Sequence, residues 1–107
     1  MPRNDPKISG TAARLSDQKS LIPDTFMLAG TVWTVAYSAD IGELGRCERD
    51  KATILLKTDV PEQVMVSTFC HELIHAMKFM RGETDHDEKD VDAQGHLLHQ
   101  FLVTRSF

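Results

Sequence analysis

The stretch TFCHELIHAMKF, residues 68–79, brings two imidazoles and a carboxylate together in His71, Glu72 and His75. On a helix, at about 100° per residue, His71 and His75 stand one above the other, about 40° apart. Both can then reach a single Zn²⁺ at about 2.0–2.1 Å. Glu72 lies beside them but is turned too far to share the metal. It can still take a proton from a water that zinc has acidified, since zinc lowers the pKa of such a water towards about 7. The H-E-x-x-H spacing therefore points to metal-assisted hydrolysis, with Glu72 as general base. The competing reading is a surface helix with two fortuitous histidines. The apolar stripe of Val66, Phe69 or Cys70, Leu73, Met77 and Met80 opposite the motif weighs against it.

A catalytic zinc site takes three protein ligands and leaves one position open. The downstream candidates are His86, Asp87, Glu88, Asp92, His96 and His99. Glu88 and His99 fall on nearly the same face of a second helix, but about 16 Å apart, so they cannot share one metal. An antiparallel pair of helices returns Glu88 to the level of the two histidines and carries His96 and His99 past it. His96 and His99 are then surface or packing residues. Asp92, one turn beyond Glu88, is placed to hold a metal-bound imidazole from outside or to be a solvated acid. The acidic run DHDEKDVDAQG does not read as a calcium loop. A register from Asp90 puts Phe101 where a bidentate Glu is needed, and one from Asp85 puts Lys89 at a ligand position.

The elements that must position these residues can be read from periodicity. TFMLAG, TVWTVAYS and ATILLKT are rich in β-branched and aromatic residues and predict three strands in a small antiparallel sheet. ADIGELGRCERDK, with Gly42 and Gly45, reads as the connection between the second and third. Asp59 and Glu62 resemble a capping box, Pro61 suits a first helical turn, and Gly82 is a natural stop. The second helix is expected from near TDHDEKD to about Val103, with Val91, Leu97, Leu98, Phe101 and Leu102 on its apolar side. The fold class is thus α+β. Residues 24–107 form the domain, and residues 1–23 form a polar arm with one helical turn near AARLSDQ.

TFCHELIHAMKF followed by HDEKDVDAQGHLLHQFL resembles the minimal zincin metallopeptidases of bacteriophages and prophages. These are gluzincin-like and related to the ImmA/IrrE-type peptidases. The resemblance covers residues 26–103. It implies that His71 and His75 bind zinc, that Glu72 is the base, and that Glu88 is the third ligand. It also implies a small sheet ahead of the active-site helix, with ATILLK as the edge strand lining a peptide cleft. The SprT-like proteases are similar too, and that likeness would make His86 the third ligand. They often carry paired cysteines in a zinc ribbon and act on DNA-bound proteins. This chain has only Cys47 and Cys70, and the helix that opens with Glu88 fits the first family better.

The bulk properties are those of one small globular domain. The 107 residues suffice for one domain, and 41% are apolar. A net charge of −4 argues against nucleic acid as the main partner. No run of apolar residues is long enough for a membrane span, and the N-terminus lacks the pattern of a signal peptide. A cytoplasmic location is expected, in the host if the gene belongs to a phage, with both cysteines as reduced thiols. The expected activity is peptide hydrolysis by a monomer holding one zinc, with a protein or peptide as substrate. Tyr37 and His86 are candidates for the oxyanion donor. The alternative is a zinc-stabilised module that binds a partner strand without cutting it.

Overall fold

The computed structural model describes residues 18–105. Four strands, β1 (Thr25–Leu28), β2 (Thr31–Ser38), β3 (Gly45–Glu48) and β4 (Thr53–Lys57), precede two helices, α1 (Glu62–Met80) and α2 (Glu88–Thr104). The strands form one sheet in the order β1-β2-β4-β3. The α+β class and the order of sheet and helices follow the sequence reading, but the sheet does not. It has four strands and is mixed: β1 pairs antiparallel with β2, β2 parallel with β4, and β3 antiparallel with β4.

The fourth strand lies within the segment expected to be a connection. GRCE is short and half-polar, so no alternation announces it. Its place comes from outside itself. The chain leaves β2, makes β3 two strand positions away, turns through a 3₁₀ segment at Arg49–Lys51 with Ala52 left-handed, and fills the gap with β4. ATILLK is therefore an interior strand and not the edge strand the resemblance implied. Its own composition explains this. Ile54 and Leu56 are fully buried on one face, and a run of apolar residues is what an interior strand requires. The two edges belong to β1 and β3.

One face of the sheet packs on α1. Trp33, Val35, Ile54 and Leu56 meet Met65, Val66, Phe69 and Cys70 in the core, with Phe26 and Leu28 beside them. Each such fully buried large side chain contributes about 1.5–3 kcal/mol. The other face of the sheet carries exposed Met27 and Val32 and is not covered by any described element. Residues 18–23 join the domain: Gln18–Leu21 form a 3₁₀ turn, and Ile22 enters the core. The helical turn expected near AARLSDQ lies mostly outside the described residues.

α1 starts without the expected capping box. Pro61 is itself the N-cap, no side chain caps the helix, and Asp59 is left-handed at φ 63°. Its C-terminal end is as expected, with Gly82 at φ 88° and the Glu83 N–H donating to the Lys78 carbonyl. α2 begins at Glu88, where the Asp87 side chain accepts from the Lys89 N–H. The apolar stripes are partly revised. Met77, Leu97 and Phe101 are exposed, while Val91 and Val103 are the buried residues of α2 besides Gly95.

Candidate metal centre

α1 leaves the core with one side turned towards α2, and this side carries the histidines. His71 Nε2 stands 3.4 Å from Glu88 Oε1, and His75 Nε2 stands 3.3 Å from Glu88 Oε2. Ligand atoms of these three residues all lie within 4.8 Å of one another. Two donors bound to a tetrahedral zinc at about 2.05 Å stand about 3.3 Å apart. The spacing and chemistry of the set therefore fit that ion: two imidazole nitrogens and a carboxylate, from residues one helical turn apart and from the first turn of the neighbouring helix.

The outward nitrogens are also held. His71 Nδ1 is 2.9 Å from Asp92 Oδ1, so the carboxylate accepts from an Nδ1–H and leaves Nε2 bare. This is the outer position the sequence allowed for Asp92. His75 Nδ1 is 2.7 Å from His86 Nδ1. His86 thus meets His75 on the side away from Glu88, its ring nearly parallel to that of His75 and tilted against that of Phe79. Burial lowers the proton affinity of His75, which favours the neutral imidazole that a metal needs.

Glu72 does not join the cluster. It is buried, with 8% of its surface exposed, and burial raises its pKa, with Glu88 and Glu43 adding to the rise and His71 opposing it. A buried carboxylate whose proton affinity is raised is suited to general-base work. It lines a cleft of about 280 Å³ whose walls are Leu44 and Gly45 from the edge strand, Ser67, Thr68 and His71 from α1, and Asp92, Gly95 and His96 from α2.

Two glycines let these walls close on one another. A Cβ on Gly45 would lie 2.5 Å from Thr68 Cγ2 and 3.3 Å from Glu72 Cγ. The edge strand therefore lies directly against Glu72. A Cβ on Gly95 would lie 3.2 Å from His71 Cα and 3.3 Å from His71 N. Mid-helix glycine costs about 1 kcal/mol relative to alanine, and here it allows α2 to cross α1 at the first histidine.

The other candidates fall elsewhere. Tyr37 is on β2, separated from β3 by β4, and does not line the cleft. His99 bonds to Gln18 Oε1 across the fold. His96, expected to be a surface or packing residue, is exposed and also lines the cleft. Sequence reasoning missed the roles of Gly45 and Gly95, which depend on what approaches them. Both cysteines are free thiols pushed up to about 12 by burial, with the Glu72 and Glu48 carboxylates adding to the effect at Cys47. Neither is a ready nucleophile. No family model matches this chain, and no curated protein or solved structure is significantly similar to it. Among the described residues, no helix is long and apolar enough to cross a membrane.

Proposed function

We propose that this chain is a zinc-dependent peptidase of the minimal zincin type, with His71, His75 and Glu88 as ligands and Glu72 as general base. The observation that carries this reading is the convergence of the two Nε2 atoms on the Glu88 carboxylate, at separations suited to one zinc, beside a buried Glu72 in an open cleft. Zinc held there would supply a Lewis acid for the peptide carbonyl and an acidified water. Glu72 accepts the proton of the attacking water and delivers it to the leaving amine. The outer edge of β3 pairs with no described strand, so an extended peptide can add to it and pass over Glu72. The substrate class is then an extended segment of a protein, as befits a cleft with few walls.

A zinc-stabilised binding module would use the same ligands and the same edge. Glu72 counts against it, because a buried carboxylate that touches no metal contributes nothing to such a site. His86 as third ligand, the SprT-like alternative, is disfavoured by its contact with the wrong nitrogen of His75. The test is Glu72→Gln, which keeps shape and removes the proton acceptor. Zinc content should match wild type, while cleavage of an unfolded protein mixture should fall at least roughly 100-fold. Undiminished cleavage would refute the mechanism. Zinc without cleavage in the wild type would favour the module.

A further inference from the structure

His86 carries a second assignment, which rests on the reading of His75 as a zinc ligand. Its Nδ1 lies 2.7 Å from His75 Nδ1, and its Nε2 lies 3.0 Å from the Glu83 carbonyl oxygen. A carbonyl oxygen only accepts, so His86 Nε2 must carry a hydrogen. In neutral His86 the Nδ1 then holds a lone pair. Two lone pairs cannot face each other at that distance, so His75 Nδ1–H donates to it. A neutral His75 protonated at Nδ1 has a bare Nε2, and that atom faces Glu88. With His86 neutral, the direction of the bond between the two rings follows from one backbone carbonyl.

We infer that His86 is a positioning residue: with the Glu83 carbonyl behind it, it holds His75 in the tautomer whose Nε2 is free for zinc. It does for His75 what the Asp92 carboxylate does for His71. The relay sits in the link between the helices. Gly82 ends α1, Glu83 offers its carbonyl, and His86 comes back over Phe79, with ring centroids 4.3 Å apart. The length of this link is thereby given a purpose. It returns Glu88 to the histidines and sets the imidazole behind one of them.

The test uses the full chain with His86→Phe, which keeps an aromatic ring against Phe79 and removes both hydrogen bonds, and His86→Gln, which can restore an acceptor for His75. In zinc-free wild type, long-range proton–nitrogen NMR should find His75 protonated at Nδ1. In His86→Phe the Nε2–H form should grow, and zinc affinity, by competition with a chromophoric chelator, should fall 10–100-fold. His86→Gln should recover part of both. If His86→Phe does not fold, His86→Leu takes its place. An unchanged His75 tautomer, or zinc affinity equal to wild type, overturns the inference. So does complete loss of zinc in His86→Phe while Glu88→Ala retains it, since His86 would then be a ligand. A wild type that binds no zinc would refute the peptidase reading, and the tautomer measurement would still decide whether His86 orients His75.

Discussion

The two helices contribute to the same site from opposite circumstances. α1 is enclosed: Met65, Val66, Phe69, Cys70, Glu72, Ile74, Ala76 and Lys78 are all buried along it. α2 buries only Val91, Gly95 and Val103 and leaves Leu97 and Phe101 exposed at 68% and 61%. His71, Glu72 and His75 therefore ride on an element fixed by the core, whereas Glu88 is 65% exposed at the first turn of the less buried helix. A cluster divided in this way has two imidazoles and the Glu72 carboxylate on the enclosed helix and the Glu88 carboxylate on the exposed one. Specific contacts tie the second helix and the link before it to the first: Gly95 on the backbone of His71, Asp92 on its ring, His86 on His75, and Asp90 on Lys78.

The largest effect is expected on the enclosed helix. His71→Ala or His75→Ala should abolish zinc binding, measured by metal analysis after purification. It should also remove the rise in melting temperature that zinc gives wild type, because a ligand bound only by the folded form stabilises it by mass action. Stoichiometric zinc in the double variant would remove the basis for the site.

Next is the contact between the helices. Gly95→Val forces a side chain against the His71 backbone, so it should destabilise the fold by about 1–3 kcal/mol in urea titration. It should also weaken zinc, because α2 carries Glu88 and Asp92. Wild-type stability in this variant would mean that α2 is not held at His71.

A smaller effect is expected at Lys78, which is buried on α1 and donates to Asp90 Oδ2 at 2.8 Å. The hydrogen bond with Asp90 raises the Lys78 pKa, and the same bond lowers that of Asp90. A depressed carboxylate stabilises the fold above its unfolded pKa, and the contribution is lost as pH falls through the folded value. A raised lysine stabilises below its unfolded pKa and loses the contribution as pH rises through the folded one. Lys78→Met should therefore melt below wild type at neutral pH, and the gap should close in acid below the ordinary aspartate range. A gap independent of pH would show that packing, not charge, is what Lys78 supplies.

The smallest effect should come from the outer side of α2. Leu97→Ser and Phe101→Ser should each change stability by about 0.5 kcal/mol or less, as exposed substitutions usually do. A large loss would mean that something covers this side and that α2 is less free than described.

The placement of the motif's side chains was legible from the sequence because it is local. The angles between His71, Glu72 and His75 are fixed by the helical repeat, and the helix is fixed by its apolar period and by Gly82. Glu88 was reachable in the same way, from the length of the link and the geometry of a returning helix. The strands TVWTVAYS and ATILLKT were legible from their β-branched residues, but their partners were not. Pairing joins residues distant in the chain, and alternation says nothing of which strand lies next to which. That is why one edge of the sheet went to GRCE, which carries little apolar signal, and why β2 and β4 run parallel. Packing also decided which apolar residues stay outside, since Met77, Leu97 and Phe101 share the period of their buried neighbours. The roles of Gly45, Gly95 and His86 belong wholly to the tertiary structure. A glycine marks a close approach only when the approaching atoms are known, and an imidazole holds another only when the fold aligns their nitrogens.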